Sequence, residues 1–120
     1  MEGVAYSLKD CLGLIQELGI DAPEIIASGG ATASPQWLQI QADIFEKPVR
    51  ASRVKEQACL GSCLLAAVGT GILPSLEEAC GRFVSMDERT YLPDEHNADV
   101  YREGYEKYRK LYGRLWDMME

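Results

Sequence analysis

The chain has 120 residues, enough for one domain with a modest core, and its 47% hydrophobic and 26% charged residues are a globular balance, not a disordered one. Nineteen acidic against twelve basic residues leave a net charge of −7, a field that repels nucleic-acid backbones and anionic membrane surfaces. No apolar run nears the roughly 20 residues of a membrane-spanning helix, and MEGVAYSLKD has neither the basic start nor the apolar stretch of a secretory signal, so a cytoplasmic location is expected.

In chain order, Val4, Leu8, Cys11, Leu12, Ile15 and Leu18 recur at helical spacing and predict an amphipathic helix over 4–18, stopped by Gly19. Asp21-Ala22-Pro23 reads as a turn, and Glu24-Ile25-Ile26-Ala27 as a short strand buried on both faces. Ser28-Gly29-Gly30-Ala31-Thr32-Ala33 continues neither that strand nor a helix. Ser34 then caps a helix with Pro35 at its first position, running through Trp37, Ile40, Gln41 and Ile44 to about Phe45. Lys47-Pro48-Val49-Arg50-Ala51 is a second short strand.

Glu56 opens a helix that is apolar nearly all round from Ala58 to Val68, the pattern of a buried helix. Gly69 and Gly71 end it. Ser75-Leu76-Glu77-Glu78 has capping-box spacing and starts a short helix to about Phe83. Residues 86–95 read as charged and turn-like, with Arg89-Thr90-Tyr91 weakly extended and His96 a loop residue. From about Asn97 a last helix carries Tyr101, Tyr105, Tyr108, Leu111, Tyr112, Leu115 and Trp116 at three- and four-residue steps. Its tyrosines are expected to pack it on to the domain.

Two strands joined by a helix form a parallel βαβ unit, yet two strands are too few for a stable sheet. The remaining strands are therefore expected from further chain or from another copy. Cys11, Cys59, Cys63 and Cys80 sit among Leu, Ala, Val or Gly without C-x-x-C spacing. They are expected to be buried and inert, and no metal site is assigned.

Chemical content concentrates in Ile25-Ile26-Ala27-Ser28-Gly29-Gly30-Ala31-Thr32-Ala33-Ser34-Pro35-Gln36-Trp37, where a strand ends in a Gly-rich loop that leads to a helix start. Glycines let a ligand approach the backbone, and the helix N-terminus offers N–H donors and about half a unit of positive charge. The loop also lies at the carboxyl end of a parallel strand, where open α/β sheets bind ligands. It has neither the G-x-x-x-x-G-K-[ST] phosphate loop nor a dinucleotide fingerprint. The residues alone leave a small phosphate ligand and a plain turn both open.

The run SGGATASPQWLQIQADIFEKPV, followed by EQACLGSCLLAAVGTGI, resembles the carboxy-terminal part of FGGY-family carbohydrate kinases. The Gly-Gly-Ala loop, Ser-Pro-x-Trp-x-Gln, Ala-Asp, the Pro-Val strand and the Ala/Gly-rich helix all match, and the Ser-Pro-x-Trp form is more like xylulokinases than glycerol kinases. Matching pieces run from about Glu2 to the last aromatic helix.

The resemblance implies an α/β fold: a partial ribonuclease H-like domain of the actin/hexokinase ATPase type, with a parallel βαβ core, flanking helices and a C-terminal helix. Residues 1–120 would be a single nucleotide-binding subdomain. Gly29, Gly30 and Ala31 would border ATP, with Gly30 nearest, and Ser34 would lie near the adenosine. Trp37, Gln39 and Asp43 also match family positions and are read as packing residues. The sugar, a pentulose such as D-xylulose, and Mg2+ would be held mainly by chain outside this sequence.

No residue matches the family's catalytic base; Asp10, Asp21 and Asp43 qualify by type only and none is assigned. Intact members are several times longer, so the chain reads as a fragment, a split gene product or a truncated form, inactive alone. Two alternatives stay open. One is another kinase of the family, acting on gluconate, glycerol, ribulose or a similar substrate. The other is a non-enzymatic remnant that self-associates as a homo-oligomer through an open sheet edge and the apolar 58–68 helix.

Overall fold

In the computed structural model, which describes residues 1–116 apart from the side chain of Tyr112, helix α1 (Glu2–Glu17) turns at Gly19 into strand β1 (Ile25–Ala27). A 3₁₀ turn (Gly30–Ala33) leads into helix α2 (Pro35–Phe45) and strand β2 (Val49–Ser52). Helices α3 (Gln57–Gly69) and α4 (Leu76–Phe83) follow, then strand β3 (Met86–Tyr91) and helix α5 (Glu95–Leu115).

The starts of α2, α4 and α5 follow local capping chemistry. Ser34 Oγ accepts from Trp37 N at 3.3 Å, Ser75 Oγ from Glu78 N at 3.1 Å, and Asp94 Oδ1 from His96 N at 3.0 Å. Each cap satisfies an N–H that has no partner inside its helix.

The sheet order is β1-β2-β3. Strands β1 and β2 are parallel, with Ile25 opposite Val49 and Ala27 opposite Ala51. Strand β3 runs antiparallel to β2, with Val49 opposite Tyr91 and Arg50 opposite Thr90, and the register shifts between Arg50 and Ser52. The parallel βαβ unit is as expected. The third strand is in part a correction: Arg89-Thr90-Tyr91 are extended as expected, but the strand starts at Met86 and so takes in 86–88, read as charged and turn-like, and it pairs with β2. Asp87, Glu88 and Arg89 are exposed there, so the strand carries little apolar signal and is held by main-chain pairing.

One face of the sheet packs on α1, α2 and α5. Tyr6, Trp37, Leu38, Ile44, Val49 and Tyr91 are buried in this main core, and Tyr101, Tyr105 and Tyr108 close over it. The tyrosine stripe therefore packs α5 on to the domain, as expected; the Tyr112 side chain lies outside the described ones. Fully burying side chains of the size of Leu38 or Ile44 stabilises a fold by about 1.5–3 kcal/mol each. Strand β1 is covered on one face only: Ile25 and Ala27 pack on the core, whereas Ile26 is 40% exposed. Burial on both faces is thus not seen.

A second small core joins α3 and α4 through Leu64, Leu73 and Ala79. It makes the molecule elongated, 55 × 38 × 29 Å, with a radius of gyration of 17.9 Å against about 14 Å for a compact chain of this length. Helix α3, expected to be buried, has Leu64 as its one buried residue, and Leu65 is 63% exposed. Its apolar pattern is unmet because α4 covers only one side. Cys11, Cys59 and Cys63 are exposed and Cys80 half-buried, so the expected thiol burial also fails: α1 and α3 expose the surfaces that carry them.

Candidate functional site

The segment from β1 to α2 builds the loop. Gly29 has φ 89° and ψ −177°, a region that only glycine enters without cost, and this reversal ends β1. The carbonyl of Gly29 then accepts from Thr32 N at 3.1 Å and from the Thr32 hydroxyl at 2.7 Å. Ser34 N donates to Ala31 O at 3.2 Å. The loop is thus a fixed 3₁₀ turn and not a floppy linker, a regularity that the sequence did not reveal.

Gly30 and Ala31 are exposed, while Gly29 and Ser34 are half-buried. Gly30 has no positive φ, and a β-carbon there would meet nothing within 4 Å. Its N–H, at the start of the 3₁₀ turn, has no acceptor inside that turn. The structure brings Gly29, Gly30, Ala31 and Ser34 together on one short turn at the carboxyl end of β1.

The other family positions have structural partners. Trp37 is buried in the main core. Asp43, 3% exposed, receives hydrogen bonds from Gln39 Nε2 at 2.8 Å and Asp94 N at 2.8 Å on one oxygen, and from Asn97 Nδ2 at 3.0 Å on the other. Gln39 also donates to Leu92 O at 2.8 Å. These bonds tie the start of α5 to α2, so the packing reading of all three residues accounts for their contacts.

Asp21 pairs with Lys47 at 2.8 Å. Asp10 accepts from the Tyr105 hydroxyl, whose pKa is pushed up to about 12, first by burial and then by that carboxylate. His96 lies in the first turn of α5, not in a loop, with Nδ1 3.0 Å from Asp94 Oδ1. Among the described residues no three His, Cys, Asp or Glu side chains gather as a metal site would need.

Beside the loop, a groove between α1 and β1 is lined by Ser28 and by Gln41 of α2. In the sequence Gln41 is one more residue of the helix that starts at Ser34-Pro35. The available signal was a glutamine in register with Trp37 and Phe45 on the buried side of α2.

The model of the FGGY family of carbohydrate kinases, C-terminal domain, matches residues 1–70. The chain belongs to that family, and its α/β architecture is part of the ribonuclease H-like fold of the actin/hexokinase ATPases. Among its relatives, the xylulose kinase of Staphylococcus epidermidis is 33% identical over 112 residues, which are 93% of this chain and 22% of that protein.

The crystal structure of xylulose kinase from Rhodospirillum rubrum superposes with a TM-score of 0.79 at 26% identity, over 98% of this chain and 24% of that one. Gluconate kinase from Lactobacillus acidophilus gives 0.80 at 27% identity, over 95% of this chain and 23% of that one. The chain therefore spans somewhat under a quarter of the length of these proteins.

Proposed function

We propose that this chain is the nucleotide-holding portion of a sugar kinase whose complete form transfers the γ-phosphoryl group of ATP to a pentulose such as D-xylulose. Gly29, Gly30 and Ala31 border the nucleotide, and Ser34 stands near its adenosine. The observation that carries this reading is the placement of Gly29, Gly30, Ala31 and Ser34 on one short turn between the parallel strand β1 and the start of α2, the end of an open α/β sheet where ligands bind.

Bound ATP supplies the phosphoryl group; the chain's part is to bind and orient it, since positioning and charge stabilisation dominate phosphoryl transfer. Mg2+, the sugar and the base that takes the sugar's hydroxyl proton are assigned to the remainder of the longer polypeptide. The isolated chain is accordingly inactive. Pentulose is chosen over gluconate on the Ser34-Pro35-Gln36-Trp37 motif and on the sequence likeness to xylulose kinases.

A second reading, a self-associating module without nucleotide, is favoured by one observation, the exposure of α3. Calorimetric titration of the chain with Mg-ATP and ADP separates the two. Saturable heat that disappears in Gly30→Arg, with the variant's circular dichroism unchanged, supports the nucleotide site. Absence of heat from folded protein, with a sedimentation mass of a dimer or more, supports the second reading.

A further inference from the structure

Gly29-Gly30 is the one place in the sequence where two glycines are adjacent. Turning a peptide plane over changes ψ of the residue before it and φ of the residue after it, and glycine tolerates almost any value of either. The peptide between these two residues is therefore the backbone unit of the chain with the least intrinsic hold on its own orientation. It lies in the loop assigned above to the nucleotide.

Thr32 supplies the hold that the glycines lack. Its N–H and its hydroxyl both donate to the Gly29 carbonyl, at 3.1 and 2.7 Å. The first bond closes the 3₁₀ turn and is open to any residue with a backbone N–H, whereas the second needs a short side chain that carries a hydroxyl. In a trans peptide the N–H points away from the C=O of the same unit. With Gly29 O held toward Thr32, the Gly30 N–H faces away from the turn, on the side where Gly30 and Ala31 are exposed. Thr32 itself is half-buried, and its hydroxyl proton is engaged inside the loop.

We propose that Thr32 is a positioning residue of the nucleotide site: its hydroxyl latches the Gly29–Gly30 peptide in the orientation that the nucleotide meets. The proposal rests on the reading of this loop as the nucleotide's neighbour. Thr32 acts through the peptide and not by touching the nucleotide. Without the hydroxyl the peptide divides its time between two orientations, and the apparent affinity falls with the fraction that faces correctly. The net worth of one such hydrogen bond corresponds to a loss of about two- to tenfold.

The test titrates the full chain with Mg-ATP and with ADP by calorimetry, as wild type, Thr32→Val and Thr32→Ser. Valine keeps the branched shape and removes the hydroxyl, whereas serine keeps the hydroxyl. Thr32→Ala, a second variant without hydroxyl, replaces valine if circular dichroism shows that valine disturbs the fold. Expected is binding about two- to tenfold weaker in Thr32→Val and close to wild type in Thr32→Ser, for both nucleotides. In the nucleotide-free chain the Gly30 amide resonance shifts or broadens in Thr32→Val and returns to its wild-type position in Thr32→Ser. A merely structural threonine would lower the urea midpoint of Thr32→Val and leave its affinity at the wild-type value, and that result overturns the proposal. Thr32→Ser binding as weakly as Thr32→Val overturns it too, because the hydroxyl would then not be the group that matters. Absence of heat from folded wild type overturns the kinase-site reading and this proposal with it, whereas undiminished binding in Thr32→Val overturns this proposal alone.

Discussion

The hydroxyl of Tyr6 on α1 lies against the backbone of Gly104 on α5: a β-carbon at residue 104 would collide with it and sit 3.0 Å from Cζ of the same ring. Tyr6 is buried, and its ring stands 5.9 Å from that of Tyr105 and 5.7 Å from that of Tyr108, centroid to centroid. Gly104 thus serves close approach of α1 and α5, at a cost in helix propensity of about 1 kcal/mol relative to alanine.

Gly104→Ala is therefore expected to destabilise the protein. It recovers about 1 kcal/mol of propensity but overpacks the core, which typically costs about 1–3 kcal/mol. Urea denaturation of Gly104→Ala, Tyr6→Phe and the double variant checks this. Alanine at 104 should be less harmful beside phenylalanine, because the atom nearest to it is the lost oxygen.

Asp43 holds the α5 start through three donors. Asp43→Asn turns one acceptor into a donor that faces Asn97 or the shared Gln39 and Asp94 donors. A loss of about 1.5–3 kcal/mol is expected, as for other hydrogen bonds to a charged group. Denaturant melts measure it, and faster amide exchange over residues 92–97 locates it.

Glu46, at the end of α2 with φ 56°, binds Arg102 through two bonds of 3.2 and 2.9 Å and Lys9 at 3.2 Å. Hydrogen bonds from Arg102 first, then Lys9, hold its pKa at about 2 against the ordinary 4.5. A carboxylate with a depressed folded pKa binds fewer protons when folded, so its stabilisation is complete above 4.5 and is lost as pH falls toward 2. Thermal melts of wild type and Glu46→Gln should differ near neutral pH and converge as pH falls through about 2, with a smaller gap in high salt.

Ser34 has two roles to separate. As a cap, its loss in Ser34→Ala should cost about 1 kcal/mol, whereas Ser34→Gly costs a few tenths. As a proposed nucleotide neighbour, both substitutions remove the same hydroxyl. Calorimetry should find ATP binding weakened similarly in the two variants while only alanine lowers the denaturation midpoint appreciably.

What the sequence by itself determined was local. Ser34-Pro35 sets the start of α2, Ser75 with Glu78 that of α4, and the heptad-like tyrosines the buried side of α5, because each device acts over three or four residues. The strand–glycine–helix order was legible for the same reason, since Gly29 has to reverse the chain where β1 ends. Strand β3 was legible only at Arg89-Thr90-Tyr91: Asp87 and Glu88 give no apolar alternation, and only pairing with β2, more than thirty residues away, makes them extended. Nor could periodicity say what surrounds α3, because an all-round apolar helix demands cover without naming it. The Asp43 clamp and the Tyr6–Gly104 approach were decided by tertiary structure alone. They depend on which distant segments meet, and that is set by packing of the sheet and helices, not by neighbours along the chain.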